Sequence, residues 1–130
     1  MSKQTHELEL IIPEAAIDQM GHVNNVQYLQ WIQDVAQSHW QEKASAKMLK
    51  EYAWVALEHH IKYHNPSFKD EKITVQTWVE SFEGVKSIRH TKIFRKSDSK
   101  TLVTAETVWC LLRLPEAKPT RITQELADAF

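Results

Sequence analysis

Hydrophobic positions recur with two different periods along the chain, and the two periods predict different elements. Residues 6–12 alternate apolar and polar before Pro13, which predicts a short strand. From Val26 onward, apolar residues recur at three- and four-residue steps, which predicts an amphipathic helix. Its buried stripe is Leu29, Ile32, Val35, Ala36, His39 and Trp40. Residues 44–52 are rich in good helix formers and predict a second, shorter helix.

Beyond Tyr52, β-branched and aromatic residues dominate and predict four more strands. These strands are expected at residues 54–64, 72–82, 87–96 and 102–114. The connections are short and contain no helical crossover, which favours antiparallel neighbours and a meander. Residues 123–130 predict a last helical turn with Thr123 as its N-cap. The order of strand, long helix and four strands predicts an α+β fold, in which one helix covers one sheet of about five strands.

Composition limits the kind of protein this is. The 130 residues suit one domain, residues 1–130, with a single core. Sixteen basic and seventeen acidic residues leave a net charge of −1, so no overall field attracts nucleic acid or an anionic membrane. No segment reaches the roughly 20 apolar residues of a membrane span, and no membrane insertion is expected. The single Cys110 and the absence of a signal-like N-terminus favour a cytoplasmic location.

The stretch IDQMGHVNN, residues 17–25, carries the candidate chemistry. Asn24 is a favoured N-cap, and Gln27 lies where the reciprocal residue of a capping box belongs. Asn25 is then the first helical residue, with a free backbone N–H at the positive end of the helix. Such an end binds anions or stabilises an oxyanion.

Asp18 lies seven residues before Asn25 with Gly21 between them, so the loop can fold back and bring the carboxylate near the same point. A carboxylate beside an oxyanion donor suits attack on an acyl carbon. The carboxylate acts either as the nucleophile or as a general base for water, and both roles stay open. Asp and Asn are also common in turns and caps, so it is the ordered combination that favours catalysis.

Residues 18–25, followed by Tyr28 and an aromatic-rich helix, resemble the acyl-thioesterase branch of the hotdog-fold superfamily. That branch contains the 4-hydroxybenzoyl-CoA thioesterase-like enzymes and the plant acyl-ACP thioesterases. The closing stretch, residues 118–126, is similar to the tails of such proteins. The resemblance implies a sheet wrapped around one long central helix and a homodimer or homotetramer with sites near the subunit interface. It also implies hydrolysis of acyl-CoA, or alternatively acyl-ACP, without a cofactor.

The resemblance also assigns residues by position. Asp18 matches the family's catalytic acid, Asn25 matches its backbone oxyanion donor, and His22 matches a histidine of the plant enzymes. Those enzymes have asparagine where this chain has Met20, which favours a simpler mechanism of Asp18 with the helix start. The residues expected to contact substrate are Asn24, Tyr28, Trp31 and His59.

Other candidates have ordinary structural explanations. Strand alternation places His60 and His64 on one face and His59 on the other, beside Val55 and Leu57, so the histidines do not converge on a metal. The basic run of Arg89, Lys92, Arg95 and Lys96 suits CoA phosphates, although a solvated strand face is the more common reason for such a run. An alternative of another class is a non-catalytic module that binds acyl thioesters.

Overall fold

The computed structural model describes residues 4–130, which form three α-helices, one short 3-10 helix (Glu14–Ala16) and six strands. The helices are α1 (Asn25–Lys43), α2 (Ala46–Glu51) and α3 (Gln124–Asp128). The strands are β1 (Thr5–Ile11), β2 (Tyr52–Tyr63), β3 (Lys72–Glu83), β4 (Lys86–Arg95), β5 (Thr101–Arg113) and the two-residue β6 (Lys118–Pro119). The bounds of the predicted elements lie within two residues of these, and β6 was not predicted.

The strands form one antiparallel sheet in the order β1-β3-β4-β5-β2, with β6 paired to β5. The predicted α+β class and antiparallel pairing are confirmed. The predicted meander is wrong for β2, which pairs with β5 and not with β3. The reason is that β1 occupies the second edge of β3, so β2 reaches an open edge only on the far side of β5. Among the described strands, β1 and β2 are therefore the two edges.

A β-bulge decides which side chains of β2 face the helix. The register of β2 against β5 shifts between Ala56 and Glu58, so Leu57 has no partner opposite it. Trp54 before the bulge and Ile61 after it both pack in hydrophobic clusters, although they are an odd number of residues apart. The prediction that His59 shares a face with Val55 and Leu57 is wrong, because the extra residue inverts the alternation.

Helix α1 lies against the concave face of the sheet and begins as predicted. Four of its six predicted positions, Ile32, Val35, Ala36 and His39, are buried, and Tyr28 and Trp31 are buried with them. The other two, Leu29 and Trp40, are only partly buried. The main core joins Tyr28, Trp31, Ile32 and Val35 of the helix to six buried residues of the sheet, Ile73, Val75, Ile93, Leu102, Val103 and Ala105. Full burial of one such side chain stabilises the fold by about 1.5–3 kcal/mol, so this interface holds the helix in place.

The C-terminal segment, which contains α3, packs in a second hydrophobic cluster. Thr123 caps α3 as predicted, because its side chain accepts a hydrogen bond from the Leu126 N–H. Leu126 and Phe130 join a second cluster around Met48 and Leu111. No helix within residues 4–130 has the length and apolar character of a bilayer span.

Candidate active site

A small hairpin brings Asp18 back to the start of α1. Ile17 and Val23 form an antiparallel bridge, the Asp18 N–H donates to the His22 carbonyl at 3.0 Å, and the Gly21 N–H donates to the Asp18 carbonyl at 3.1 Å. Gly21 has a φ of 84°, a conformation that glycine adopts without steric cost. The turn therefore depends on glycine at this position.

The carboxylate of Asp18 is half-buried and has one oxygen engaged in the turn. Its Oδ1 accepts a hydrogen bond from the Met20 N–H at 2.8 Å, and the His22 Nδ1 lies 3.9 Å from the same oxygen. Within residues 4–130, Oδ2 accepts no hydrogen bond from protein. The turn thus fixes the carboxylate through one oxygen and leaves the other available to a substrate or a water.

The helix start has the predicted N-cap but not the predicted capping box. The Asn24 Oδ1 accepts from the Val26 N–H at 2.9 Å, and Asn25 is the first helical residue. The Asn24 N–H donates to the Ala16 carbonyl at 2.9 Å, so the side chain of Gln27 does not reciprocate. In the described part of the chain, the Asn25 N–H has no acceptor. It is a free donor at the positive end of the helix dipole.

Tyr28 and Trp31, two of the predicted substrate contacts, lie in the core below this helix start. Tyr28 is 3% exposed, and its Oη lies 2.5 Å from the Ser67 Oγ. Burial raises the pKa of Tyr28, with the Ser67 hydrogen bond opposing it. The backbone carbonyl of Ser67 also accepts a hydrogen bond from the Val23 N–H, at 2.9 Å. Sequence reasoning missed Ser67, because no local pattern reports a contact across 39 residues.

His59, the remaining predicted contact, lies on β2 and is not joined to the Asp18 loop in the single chain. Its Nδ1 lies 2.9 Å from the Thr107 Oγ1, its ring meets Trp109 edge to face, and burial lowers its pKa. His60 and His64 bond separately to Glu58 and Thr104. Residues 4–130 contain no group of three His, Cys, Asp or Glu side chains that could hold a metal ion.

The basic run is divided among different environments, and the interpretation as a solvated strand face is wrong for Arg89. Arg89 is 8% exposed and buried under α1. Lys92 lies over the ring of Phe94. Arg95 pairs with Glu71 and Asp98, and Lys96 pairs with Glu9.

A cavity among the described residues lies at the C-terminal half of α1, and none of Asp18, His22 and Asn25 lines it. Two apolar side chains beside the Asp18 loop are solvent-facing instead, Met20 at 77% and Val26 at 72% exposure. An apolar surface next to these polar groups suits coverage by a further surface.

Comparisons with known proteins agree with this fold. The chain matches the acyl-ACP thioesterase N-terminal domain family over residues 3–130. A 1,4-dihydroxy-2-naphthoyl-CoA thioesterase from Synechocystis has a similar structure, with a TM-score of 0.83, 18% identity, and coverage of 97% of this chain and 95% of that one.

Two further structures are also similar. A Staphylococcus aureus protein in complex with CoA has a TM-score of 0.85 and 16% identity, with coverage of 99% of this chain and 83% of that one. An acyl-ACP thioesterase from Bacteroides thetaiotaomicron has a TM-score of 0.83 and 22% identity, with coverage of 95% and 52%. At these identities the likeness establishes the fold. A search of curated protein sequences found no match.

Proposed function

The chain belongs to the acyl-ACP thioesterase N-terminal domain family, and from this premise we propose that it hydrolyses an acyl-CoA at the junction of the Asp18 loop and α1. Thioester hydrolysis is the chemistry of the family, and the fold is the hotdog fold of its structural relatives. The observation that supports the proposed site is the hairpin, which pairs the backbone of Asp18 with His22, three residues before the free Asn25 N–H at the start of the helix.

The proposed reaction needs few groups. The Asn25 N–H donates to the thioester carbonyl oxygen and stabilises the oxyanion, an interaction typically worth about 3 kcal/mol. Asp18 attacks the carbonyl carbon itself or removes a proton from the attacking water. The C–S bond then breaks and the thiolate leaves. A thiol pKa of roughly 8.5, by analogy with cysteine, lets it depart near neutral pH with little acid assistance.

His22 and Asn24 have supporting roles in this proposal. His22 faces Asp18 across 3.9 Å, so its ring orients the loop or passes a proton. Asn24 fixes the helix start through its bond to Val26, and Tyr28 anchors the first turn through Ser67. Trp31 and His59 remain proposed as contacts of the substrate, which requires that a second chain reshapes their surroundings.

A second copy of the chain completes the site in this proposal. The edge strand β2 has one free side within the described sheet, and an unpaired edge of this length is usually covered. Val55 and Leu57 on β2 are 41% and 49% exposed. Pairing two β2 strands about a two-fold axis buries these residues and provides a surface for Met20 and Val26. We propose a homodimer as the active unit, which can assemble further into a tetramer.

The carrier and compartment belong to the proposal as well. CoA is supported by the similar Staphylococcus aureus structure that holds it, and the family match supports acyl-ACP as the second candidate. We place the enzyme in the cytoplasm, in fatty acid metabolism. The single cysteine, Cys110, is buried and free, as is usual for proteins that work in a reducing compartment.

The experiment follows thiol release from short, long and aromatic acyl-CoAs, and from CoA and ACP esters of one acyl chain. Asp18→Asn should lower kcat by about 10²–10⁴ while substrate affinity is kept, because the amide keeps the turn but neither attacks nor accepts a proton. Glu14→Gln, an exposed carboxylate change in the preceding turn, is the matched control and should keep wild-type turnover. Full activity of Asp18→Asn, or no turnover with any ester, would refute the proposal.

A further inference from the structure

An aromatic cavity in the described chain lies away from the Asp18 loop and has no part in the proposed hydrolysis. This cavity of about 620 Å³ lies between the C-terminal half of α1 and the concave face of the sheet. Its volume is in the range of small-molecule sites, roughly 300–1,000 Å³. The exposed residues Gln37, Gln41 and Leu49 line it and mark its opening. Its walls are aromatic: Trp40, Tyr52, Trp54, Phe82, Trp109 and Phe130.

One buried cation faces this apolar space. Among residues 4–130, Arg89 is the only charged side chain that lines the cavity, and it is 8% exposed. Its Nη1 donates to the His39 Nδ1 at 3.0 Å and to the Thr77 Oγ1 at 3.1 Å. In the described part of the chain, no carboxylate lies within 4 Å of the guanidinium. Its Nε and Nη2 donate to no residue there, and neither is sealed from solvent.

The partners of Arg89 do not neutralise its charge. Burial lowers the pKa of Arg89 to about 10, so the group stays protonated near neutral pH. Burial, followed by the charge of Arg89, lowers the pKa of His39 to about 3, so the histidine is neutral. A charge removed from water without an opposite charge is unfavourable. An anion that enters the cavity would supply the missing negative charge and accept hydrogen bonds from the free N–H groups of Arg89.

We propose that the cavity binds a free carboxylic acid with an apolar body, whose carboxylate pairs with Arg89 and whose fatty or aryl portion packs against the aromatic walls. A guanidinium presents parallel N–H donors that match the two oxygens of a carboxylate. The single positive charge balances one carboxylate, whereas a phosphate monoester would leave excess negative charge in an apolar space. Because none of Asp18, His22 and Asn25 lines the cavity, the acid occupies a second site, distinct from the proposed hydrolytic one.

The site is tested on the full-length chain by the binding of dodecanoate and dodecan-1-ol below the concentration at which dodecanoate forms micelles. Trp40, Trp54 and Trp109 line the cavity, so intrinsic fluorescence reports occupancy, and calorimetry provides an independent measurement. Wild-type protein should bind dodecanoate about 10- to 100-fold more tightly than the alcohol, because only the acid makes charged hydrogen bonds. Equal affinity for the two compounds would overturn the proposal without any variant.

Variants then locate the binding site. Arg89→Met should remove the preference for the acid. Lys92→Met, on the same strand at the opposite face, is the matched control and should keep it. Ser87→Leu adds volume to the cavity wall and should weaken both compounds, a second variant that retains the guanidinium. Unchanged binding by Arg89→Met would refute the assignment.

The hydrolytic site is tested in parallel. Asp18→Asn should bind dodecanoate like the wild type. Loss of binding in Asp18→Asn would place the acid in the hydrolytic site and overturn the second site. Free CoA should show no Arg89-dependent binding. If the protein binds dodecanoate through Arg89 but hydrolyses no thioester, the second site is supported and the proposed hydrolytic function is refuted. Failure of one proposal is therefore distinguishable from failure of the other.

Discussion

The hydroxyl of Tyr28, in the first turn of α1, lies 2.5 Å from the hydroxyl of Ser67 in the connection between β2 and β3. Both residues are buried, and the Ser67 carbonyl also accepts from the Val23 N–H at the end of the hairpin. One serine therefore holds both the loop and the helix that contribute to the proposed site. The position of the Asn25 N–H relative to Asp18 depends on this contact.

Removal of the Tyr28 hydroxyl is expected to destabilise the fold. Tyr28→Phe leaves the buried Ser67 Oγ without its side-chain partner and should lower the free energy of unfolding by about 1–3 kcal/mol, measured by urea denaturation. Ser67→Ala should act similarly. The double variant should lose less unfolding free energy than the two single variants lose together, because the second change removes a hydroxyl that the first has already left unpaired. Tyr63→Phe, on a tyrosine that is 47% exposed, is the control and should change little. Additive losses would contradict the coupling.

Gly21 and Gly84 provide a matched pair of backbone changes. Both have positive φ, 84° and 62°, and an added Cβ would meet no atom within 4 Å at either position. Each change to alanine should therefore cost about 1–2 kcal/mol of unfolding free energy through conformational strain alone. Only Gly21→Ala should also lower kcat/KM, because Gly21 shapes the turn that carries Asp18 whereas Gly84 lies in the β3–β4 hairpin. Equal effects on activity would argue against the proposed site.

His39 should make the protein less stable as the pH falls. Its pKa is lowered from 6.5 to about 3 in the folded state, chiefly by burial, so between these values the unfolded chain binds a proton that the folded chain excludes. The stability it contributes is present above pH 6.5 and is lost on acidification, by at most about 1.4 kcal/mol per pH unit. His59, whose pKa burial also lowers, acts in the same direction.

Urea denaturation at pH 7 and pH 5 measures this loss. His39→Gln supplies an amide oxygen to Arg89 and carries no titratable group, so its stability should fall less between the two pH values. Some loss of stability at pH 5 should remain in His39→Gln, because His59 also contributes to it. If the free energy of unfolding of His39→Gln and of the wild type changes equally between pH 7 and pH 5, the burial of a neutral His39 is not the source of the pH dependence.

A charge on the free edge of the sheet should separate the proposed dimer. Leu57, at the bulge of β2, is 49% exposed. Leu57→Glu places like charges near each other if two β2 strands pair, and should yield monomers in sedimentation velocity with a matching loss of turnover. Ile11→Glu, on the opposite edge strand and 59% exposed, is the control and should remain a dimer. An active wild-type monomer would contradict the proposal that a second chain completes the site.

Local patterns in the sequence predicted much of the fold. The three- and four-residue steps after Val26 predicted α1, the alternating runs predicted the strands, and Asn24 and Thr123 predicted the caps that start α1 and α3. These predictions succeed because periodicity and capping depend on neighbours a few residues apart. The same local logic placed Asp18 and Asn25 at the two ends of one short loop.

Only the tertiary structure decided which distant residues meet. The pairing of β2 with β5, the inversion of His59 by the bulge and the contact of Tyr28 with Ser67 depend on residues tens of positions apart. Arg89 appeared in the sequence as one member of a basic run, and the sheet register turned it toward His39 under the helix. Side-chain periodicity records which residues share a face, whereas the choice of partner strand fixes what that face meets, and that choice follows from the packing of the whole chain.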